Sequence, residues 1–551
     1  MTFLTEELLK GSDWRALERA VARLMSHCGW SDVTVMGRSG DGGADIVALK
    51  ESNGHFKKWV VQIKAVTGGN YVGVAGLNEV LRAQSLYAAH TVVLATNGSF
   101  TDSVVKRQTA LKSVGFEVKL WNGKFLQQLL NAWPDASPLR RSLRPYQQSV
   151  LDDSLEIFES GVGKVQYVVA TGLGKTVIAS ALAEEMWKRG VQRILVLCHA
   201  QDLALQLEQA FWTRISKSIP THVFYDGLPP LLQNGINFGL YQSLHGYLSG
   251  FGPGDFDLVI VDEAHHAMAH GFRACIDSLS PRYLLGMTAT PWRGDGESID
   301  DIFGPPIAKM SLVDGMAMGF LAQIDYRIYC DNINWTEVPQ ISKNSLSLRD
   351  LNKRLFIPQR DEAVIDEILR VCKEIVSPRI AIFSPSVDHS KRFAQMLSAA
   401  GVSCASMSGV DRTNRRKHLL DFSAGQIKAV TAVDVLNEGI DVPEVNLIIF
   451  MRATHSRRIF VQQLGRGLRL APEKEKVIVL DFVADIRRMA EAIYLERETR
   501  KLRRTESVQL PIDMVKFNDL RAKHFVEEWI SDVSDLADAD DSEKLKYPDF
   551  L

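Results

Sequence analysis

Apolar residues come in short runs along this chain, and the stretches between them repeat at helical spacing. Apolar runs of about four to eight residues bounded by turn formers read as strands, and apolar positions three and four apart read as helices. A helix-like stretch runs from Trp14 to Cys28, and strand-like runs follow at DVTVM (32–36), DIVAL (45–49), WVVQIKAV (59–66) and TVVLAT (91–96). Residues 13–130 therefore read as one compact unit. NAWPDASPLRR (131–141), with two prolines and two arginines, reads as a linker. A second unit spans about 142–300, with apolar runs YVVA (167–170), RILVLC (193–198) and LVIVD (258–262). Continuous apolar runs of this kind suit the doubly buried strands of a parallel sheet. A third unit, about 361–482, carries RIAIF (379–383), KAVTAV (428–433), VNLIIF (445–450) and KVIVLDF (476–482). Residues 301–360 are less regular. A helical segment follows 482, with the basic cluster RETRKLRR at 497–504. Alternating helix and strand signals predict the α/β class.

Length and composition agree with this. At ~150 residues per domain, 551 residues suggest three to four domains. An apolar share of 46% and a charged share of 24% exclude a wholly disordered chain. No apolar run approaches the ~20 residues that span a bilayer. The start, MTFLTEELLK, lacks a basic segment followed by an apolar one, so no secretory signal is expected. Six cysteines are scattered, no two within four residues of each other, which predicts reduced thiols in a cytoplasmic protein. The formal net charge is −2, but residues 526–551 hold nine Asp/Glu and two Lys. The rest is thus modestly positive, which is compatible with nucleic-acid binding without establishing it.

The strongest chemical signal is YVVATGLGKT (167–176), an apolar strand entering a glycine-rich turn and then a helix. Glycines let backbone N–H groups approach a phosphate, and the helix N-terminus adds positive potential. Lys175 can then reach β/γ-phosphates and Thr176 can ligate Mg²⁺. Val169 stands where the general P-loop pattern has its first glycine, so a bare glycine-rich turn is the alternative. LVIVDEAHH (258–266) ends a strand in two carboxylates. Asp262 can hold Mg²⁺ and Glu263 can orient and deprotonate water. Adjacent carboxylates are costly unless a cation or substrate uses them.

Together with LRPYQQ (143–148), VLCHAQDLALQ (196–206), YQSL (241–244), MTATPWR (287–293), FSPSVDHS (383–390), TAVDVLNEGIDVPEVN (431–446) and FVQQLGRGLR (460–469), these motifs stand in a fixed order. In that order the chain resembles superfamily 2 helicases, of the DEAH-type group that includes restriction-enzyme motor subunits. The resemblance covers about 142–482. It implies two RecA-like domains, at 142–300 and 361–482, that clamp ATP with Mg²⁺. It implies nucleotide contacts from Gln147, Thr171, Gly172, Gly174, Lys175, Thr176, Asp262 and Gln462. It also implies that His265 couples the ATP site to Thr288-Ala289-Thr290. Arg466 and Arg469 lie three apart, so on a helix they share a face. In this family such arginines neutralise charge developing on the γ-phosphate.

The N-terminal unit carries a second constellation. RSGDGGADIVAL (38–49) places Asp45 behind a glycine-rich bend, and WVVQIKAV puts Gln62 and Lys64 on one side of a strand. Glu18 lies in the opening helix. Asp45 and the Gln62 oxygen can hold Mg²⁺, and Lys64 can orient and activate water. These residues, with ATNGSFT (95–101), resemble Mrr-like restriction endonucleases of the PD-(D/E)xK fold, over about 13–130. Gln62 stands in place of a second acidic ligand. The resemblance implies an endonuclease-like α/β domain at 1–135. A connecting segment at 301–360 and a helical C-terminal extension at 483–551 complete the expected architecture.

An ATP-driven DNA translocase with an endonuclease, acting in restriction or phage defence, is the expected function. A repair or remodelling translocase whose N-terminal domain binds DNA without cutting is the alternative. An RNA helicase is disfavoured, because Mrr-like domains imply DNA. Double-stranded DNA is the expected partner, with no membrane. Defence-system partner proteins and a homo-oligomer both stay open. RETRKLRR suits phosphate contact or a solvated helix face. The acidic tail suits disorder or mimicry of DNA.

Overall fold

The computed structural model describes residues 3–11, 13–36, 43–52, 55–67, 70–224, 232–289, 299–330, 333, 334, 336, 347–355, 360–408, 412–433, 442–451, 464, 465, 467–471, 474–482, 486–505, 514–519, 521 and 523. The chain divides into two compact units. The first holds Met1–Val165, Thr176–Asp262 and His266–Gly286, and the second Gln166–Lys175, Glu263–His265 and Met287–Leu551.

The first unit opens with α1 (Glu6–Lys10) and α2 (Trp14–His27). Asp13 caps α2, its side chain accepting from Ala16 N at 3.1 Å. Strands β1 (Ser31–Val35), β2 (Ile46–Ser52) and β3 (His55–Lys64) pair antiparallel. β4 (Tyr71–Val72) and α3 (Val74–Tyr87) lead to β5 (Thr91–Thr96), which runs parallel to β3. β6 (Ser99–Phe100) pairs with β4, and α4 (Asp102–Ser113), β7 (Val118–Trp121) and α5 (Gly123–Ala132) complete the region. The mixed sheet has the order β1-β2-β3-β5-β7. Trp59, Val61 and Ile63 join the apolar cluster with Val21, Leu24 and Met25 of α2. Each such buried side chain contributes about 1.5–3 kcal/mol. The alternation along β3 sends Gln62 and Lys64 to the opposite face.

β3 begins and ends earlier than its apolar run, WVVQIKAV. Pairing with β2 draws Lys57 and Lys58 into the ladder, while Val66 N donates to Asn97 Oδ1 at 2.8 Å.

The same unit continues with α6 (Pro145–Glu159), α7 (Lys175–Lys188), β9 (Arg193–Cys198), α8 (Gln201–Trp212), β10 (Thr221–Phe224), β11 (Gly235–Leu240), α9 (Tyr241–His245), β12 (Leu258–Asp262), α10 (His270–Leu279) and β13 (Tyr283–Thr288). Between α6 and α7 lies β8 (Lys164–Val169), which from Gln166 belongs to the second unit, as do Lys175 at the start of α7 and Met287 and Thr288 at the end of β13. Strands β10, β11, β9 and β12 are parallel neighbours in that order.

α8 seats the N-terminal sheet. Trp212 is 1% exposed and belongs to the apolar cluster of α2 and β3. Arg23, buried in α2, donates to Ser216 O at 3.0 Å and to Thr221 Oγ1 at 3.5 Å. Glu208 accepts from Thr221 Oγ1 at 2.7 Å and lies 3.6 Å from Arg19 Nε. The stretch 131–141, which reads as a linker, is strapped down. Lys217 Nζ donates to Leu130 O and Trp133 O at 2.9 and 2.6 Å, and Arg140 grips Glu184 with two bonds of 2.9 and 2.8 Å. Its prolines set its shape, but long-range polar contacts fix its place.

In the second unit, β8 pairs in parallel with β14 (Pro306–Met310), which follows α11 (Asp300–Phe303). α12 (Leu312–Ala317) leads to β15 (Gln323–Tyr329). The remaining strands are β16 (Ile380–Phe383), β17 (Cys404–Ser406), β18 (Ala429–Ala432), β19 (Leu447–Phe450), β20 (Lys476–Phe482) and β21 (Val515–Phe517). They form an all-parallel sheet of order β17-β18-β16-β19-β20-β15-β21.

The stretch 301–360 is thus more regular than its sequence suggests, since β15 lies between β20 and β21. Asp325 and Arg327 interrupt the apolar pattern, yet they pair with each other at 2.9 Å. The C-terminal extension supplies a strand as well as the helix Ile486–Thr505. In that helix Arg500 pairs with Glu496 at 2.5 Å, so this part of the basic cluster is internally neutralised. The acidic tail lies outside the described residues. Among the described residues no helix is long and apolar enough to cross a membrane.

Candidate functional sites

β8 runs into the turn Thr171–Gly174, and α7 starts at Lys175. Gly172 and Gly174 take φ of +90° and +88°, which L side chains rarely adopt. A β-carbon on Gly172 would also lie 2.8 Å from Gly465 O. Lys175 Nζ donates to Glu263 Oε1 at 3.0 Å, with the two side chains 11% and 16% exposed. Glu263 follows β12 and has φ +47°, a left-handed backbone that costs a non-glycine residue about 1–3 kcal/mol. That strained turn sits where the carboxylate meets Lys175. His265, 1% exposed, places Nδ1 3.4 Å from Glu263 Oε2 and 2.9 Å from Thr288 Oγ1. Lys175, Glu263, His265 and Thr288 thus form one polar run.

Arg469 bridges to Leu321 through its backbone, and a β-carbon on Gly172 would lie 3.4 Å from Arg469 Cγ. The arginine stem therefore lies against the glycine turn. Asp262 ends β12 and is buried, and Thr176 is the second residue of α7. Gln147 caps α6: its Oε1 accepts from Arg144 N at 3.0 Å, and its Nε2 donates to Tyr146 Oη at 3.3 Å. Gln462, Arg466 and Thr290 lie outside the described residues, as do 434–441 of TAVDVLNEGIDVPEVN. A left-handed glycine turn, a lysine at its end and a helix N-terminus together fit a nucleoside triphosphate.

The N-terminal site is built on β3. Asp45 is buried behind Gly43, whose φ is +90°. Asp45 Oδ2 accepts from Gln62 Nε2 at 2.7 Å and from Ile63 N at 2.5 Å. Gln62 Oε1 is buried with no hydrogen-bond partner among the described residues. An amide oxygen left so is a hard donor of the kind Mg²⁺ takes, beside the Asp45 carboxylate. Asp45 and Gln62 therefore fit a metal. Lys64 does not touch that pair's bonding atoms but meets Glu79 Oε2 at 2.5 Å. Glu18 is buried on α2. The glycine bend at 37–42 is outside the described residues.

The contacts of two groups of residues escape a reading along the sequence. One is Glu79, whose only local signal is a place three residues after Gly76 on α3. The other is the start of ATNGSFT: Thr96 Oγ1 donates to Lys64 O at 2.7 Å, and Asn97 Nδ2 donates to Val66 O, Gly11 O and Leu9 O at 2.8, 2.9 and 3.1 Å. These bonds pin the exit of β3 just after Lys64.

Sequence models of three families match the chain. The restriction endonuclease model covers residues 9–130, the model of the type III restriction enzyme res subunit 140–293, and the helicase conserved C-terminal domain 361–471. The Saccharomyces cerevisiae protein IRC3, provisionally named an ATP-dependent helicase, is 22% identical over 357 residues, 62% of this chain and 51% of its own. The endonuclease subunit of the type I restriction enzyme EcoAI of Escherichia coli is 25% identical over 406 residues, 66% of this chain and 49% of its own. This chain thus spans about half the length of these relatives. A solved structure of the ATP-dependent type ISP restriction-modification enzyme LlaBIII bound to DNA aligns with TM-score 0.52 at 16% identity. It covers 94% of this chain and 41% of that one, a likeness of fold.

Proposed function

We propose that this chain, which joins a restriction-endonuclease domain to a superfamily 2 helicase motor, is an ATP-driven translocase on double-stranded DNA that also cuts it. Restriction or phage defence is the setting in which scanning and cutting on one chain serve a single end. One observation carries the reading: the Asp45–Gln62 pair, with its buried and unpaired amide oxygen, shares a chain with the Lys175–Glu263 pair.

In the motor, Thr171 to Lys175 would cradle the phosphates of ATP, with Gln147 and Gln462 as further nucleotide contacts. Thr176 and Asp262 would hold Mg²⁺. Glu263 would accept a proton from the attacking water, and Arg466 and Arg469 would face the charge that develops on the γ-phosphate. His265 would pass the state of Glu263 to Thr288.

In the nuclease, Asp45 and Gln62 would hold Mg²⁺, and Glu18 would be a further catalytic residue. Bound Mg²⁺ polarises the scissile phosphate and lowers the pKa of its water. Lys64 would orient that water. Cutting both strands would need two nuclease domains, from a homo-oligomer or a partner protein. A cytoplasmic site of action, where ATP and entering DNA meet, goes with this function.

The test is cleavage of a closed circular plasmid with Mg²⁺, with and without ATP, beside Lys64→Ala and Lys175→Ala. Nicking or linearisation that needs both lysines is the expected result. Cutting that needs only Lys64 would separate the motor from cleavage. No cutting, with DNA-stimulated ATPase intact, would favour a domain that only binds.

A further inference from the structure

The Lys64 side chain leaves β3 over α3. A β-carbon on Gly76 would lie 3.5 Å from Lys64 Cγ, 3.2 Å from Leu94 Cδ1 and 3.3 Å from Val72 Cγ1. Gly76 therefore leaves just the room that the lysine stem needs. Glu79 stands three residues further, on the same face of the helix, and its Oε2 lies 2.5 Å from Lys64 Nζ. The backbone of Glu79 meets the other arm of the site. A β-carbon on Gly43 would lie 2.5 Å from Glu79 O, and Gly43 enters the turn that places Asp45. Glu79 thus touches both Lys64 and the approach to Asp45.

The Lys64 and Glu79 side chains are 34% and 42% exposed. An ion pair that open adds little to stability. Its effect is on where the ammonium stands. A lysine has a flexible four-carbon stem and a point charge, so an unpaired one samples many positions.

We propose that Glu79 is a positioning residue of the nuclease site. Its carboxylate holds the Lys64 ammonium in one place, on the strand face that also carries Gln62. This rests on the nuclease reading above.

The experiment uses the full chain, supercoiled plasmid and Mg²⁺, comparing Glu79→Gln, Glu79→Asp and Lys64→Ala. Glu79→Gln should slow cutting at saturating DNA by up to about 100-fold, the cost of a small misplacement of a reacting group. DNA affinity, ATPase rate, melting temperature and the Mg²⁺ concentration for half-maximal cutting should stay as in the wild type. Glu79→Asp should recover most of the rate. Wild-type cutting by Glu79→Gln beside an inactive Lys64→Ala would overturn the role of Glu79 and leave the nuclease standing. A raised Mg²⁺ requirement would overturn it too, by making Glu79 a metal ligand. A lowered melting temperature would make it structural. Cutting by Lys64→Ala at the wild-type rate would instead sink the nuclease reading itself.

Discussion

His265 Nδ1 and Thr288 Oγ1 meet at 2.9 Å in a buried contact that joins the carboxylate strand to the end of β13. Because His265 also lies 3.4 Å from Glu263, a change at the Lys175 end can reach Thr288. Thr288→Val keeps the shape and removes the bond. It should lower the stimulation of ATPase by DNA about tenfold, the worth of one buried hydrogen bond, while the basal rate stays within about twofold. ATPase rates with and without duplex DNA decide this. Undiminished stimulation would remove His265 from any coupling role.

Lys175→Ala should reduce ATP hydrolysis to about 1% or less, as loss of a charge-stabilising donor does. It also leaves Glu263 without the cation 3.0 Å away. Steady-state phosphate release checks it, and turnover near the wild-type rate would contradict the phosphate-binding assignment.

Arg23→Ala should loosen the seat between α2 and α8. Burial already pushes the Arg23 guanidinium down to about 9 and the Glu208 carboxyl up. Arg23→Ala takes the donor from Ser216 O and Thr221 Oγ1, while Glu208 keeps Arg19 at 3.6 Å, and a buried group left unsatisfied costs about 1–3 kcal/mol. Arg23→Met refills the space without the guanidinium and should recover the part of the loss that is packing, leaving the part due to the two bonds. Hydrogen exchange in α2 and α8 is the measurement, since a chain of several domains need not melt in one step. Wild-type protection in both variants would rule Arg23 out as the clamp.

His27 predicts an acid-sensitive seat. Burial, with Arg23 and Lys217 nearby, pushes its imidazole down to about 3. Neither ring nitrogen has a hydrogen-bond partner among the described residues. The unfolded chain therefore binds a proton at a pH where the folded chain does not. Stability from this group is complete above about pH 6.5 and is lost as the pH falls toward 3. Between pH 7 and 5 the loss is about 2 kcal/mol. His27→Leu should flatten that part of the stability profile in denaturant titrations. An unchanged slope would show that other groups carry the acid sensitivity.

Local signals made much of this fold legible. RILVLC, LVIVD, TVVLAT and KVIVLDF match their strands because doubly buried parallel strands are apolar at every position. TGLGKT was legible because its left-handed positions demand glycine. β15 was not, because its ionic residues are satisfied by pairing rather than by solvent. Glu79 meets Lys64 only because a crossover helix returns along β3. Arg23 finds Ser216 at a separation of 193 residues, which no local pattern encodes. Gln147 stands out within LRPYQQ, while its capping bonds depend on how α6 begins.

Trp212 closes a core that otherwise belongs to residues far upstream of it. Along the gene, the first 130 codons look like a cassette that recombination could lift out. The folded protein has no seam there. A chimaera that took the N-terminal stretch from one relative and α8 from another would set a foreign surface against Leu24 and Trp30, and leave either a hole or a clash. The two segments are therefore expected to be inherited as a matched pair, and swaps that preserve folding should carry α8 along.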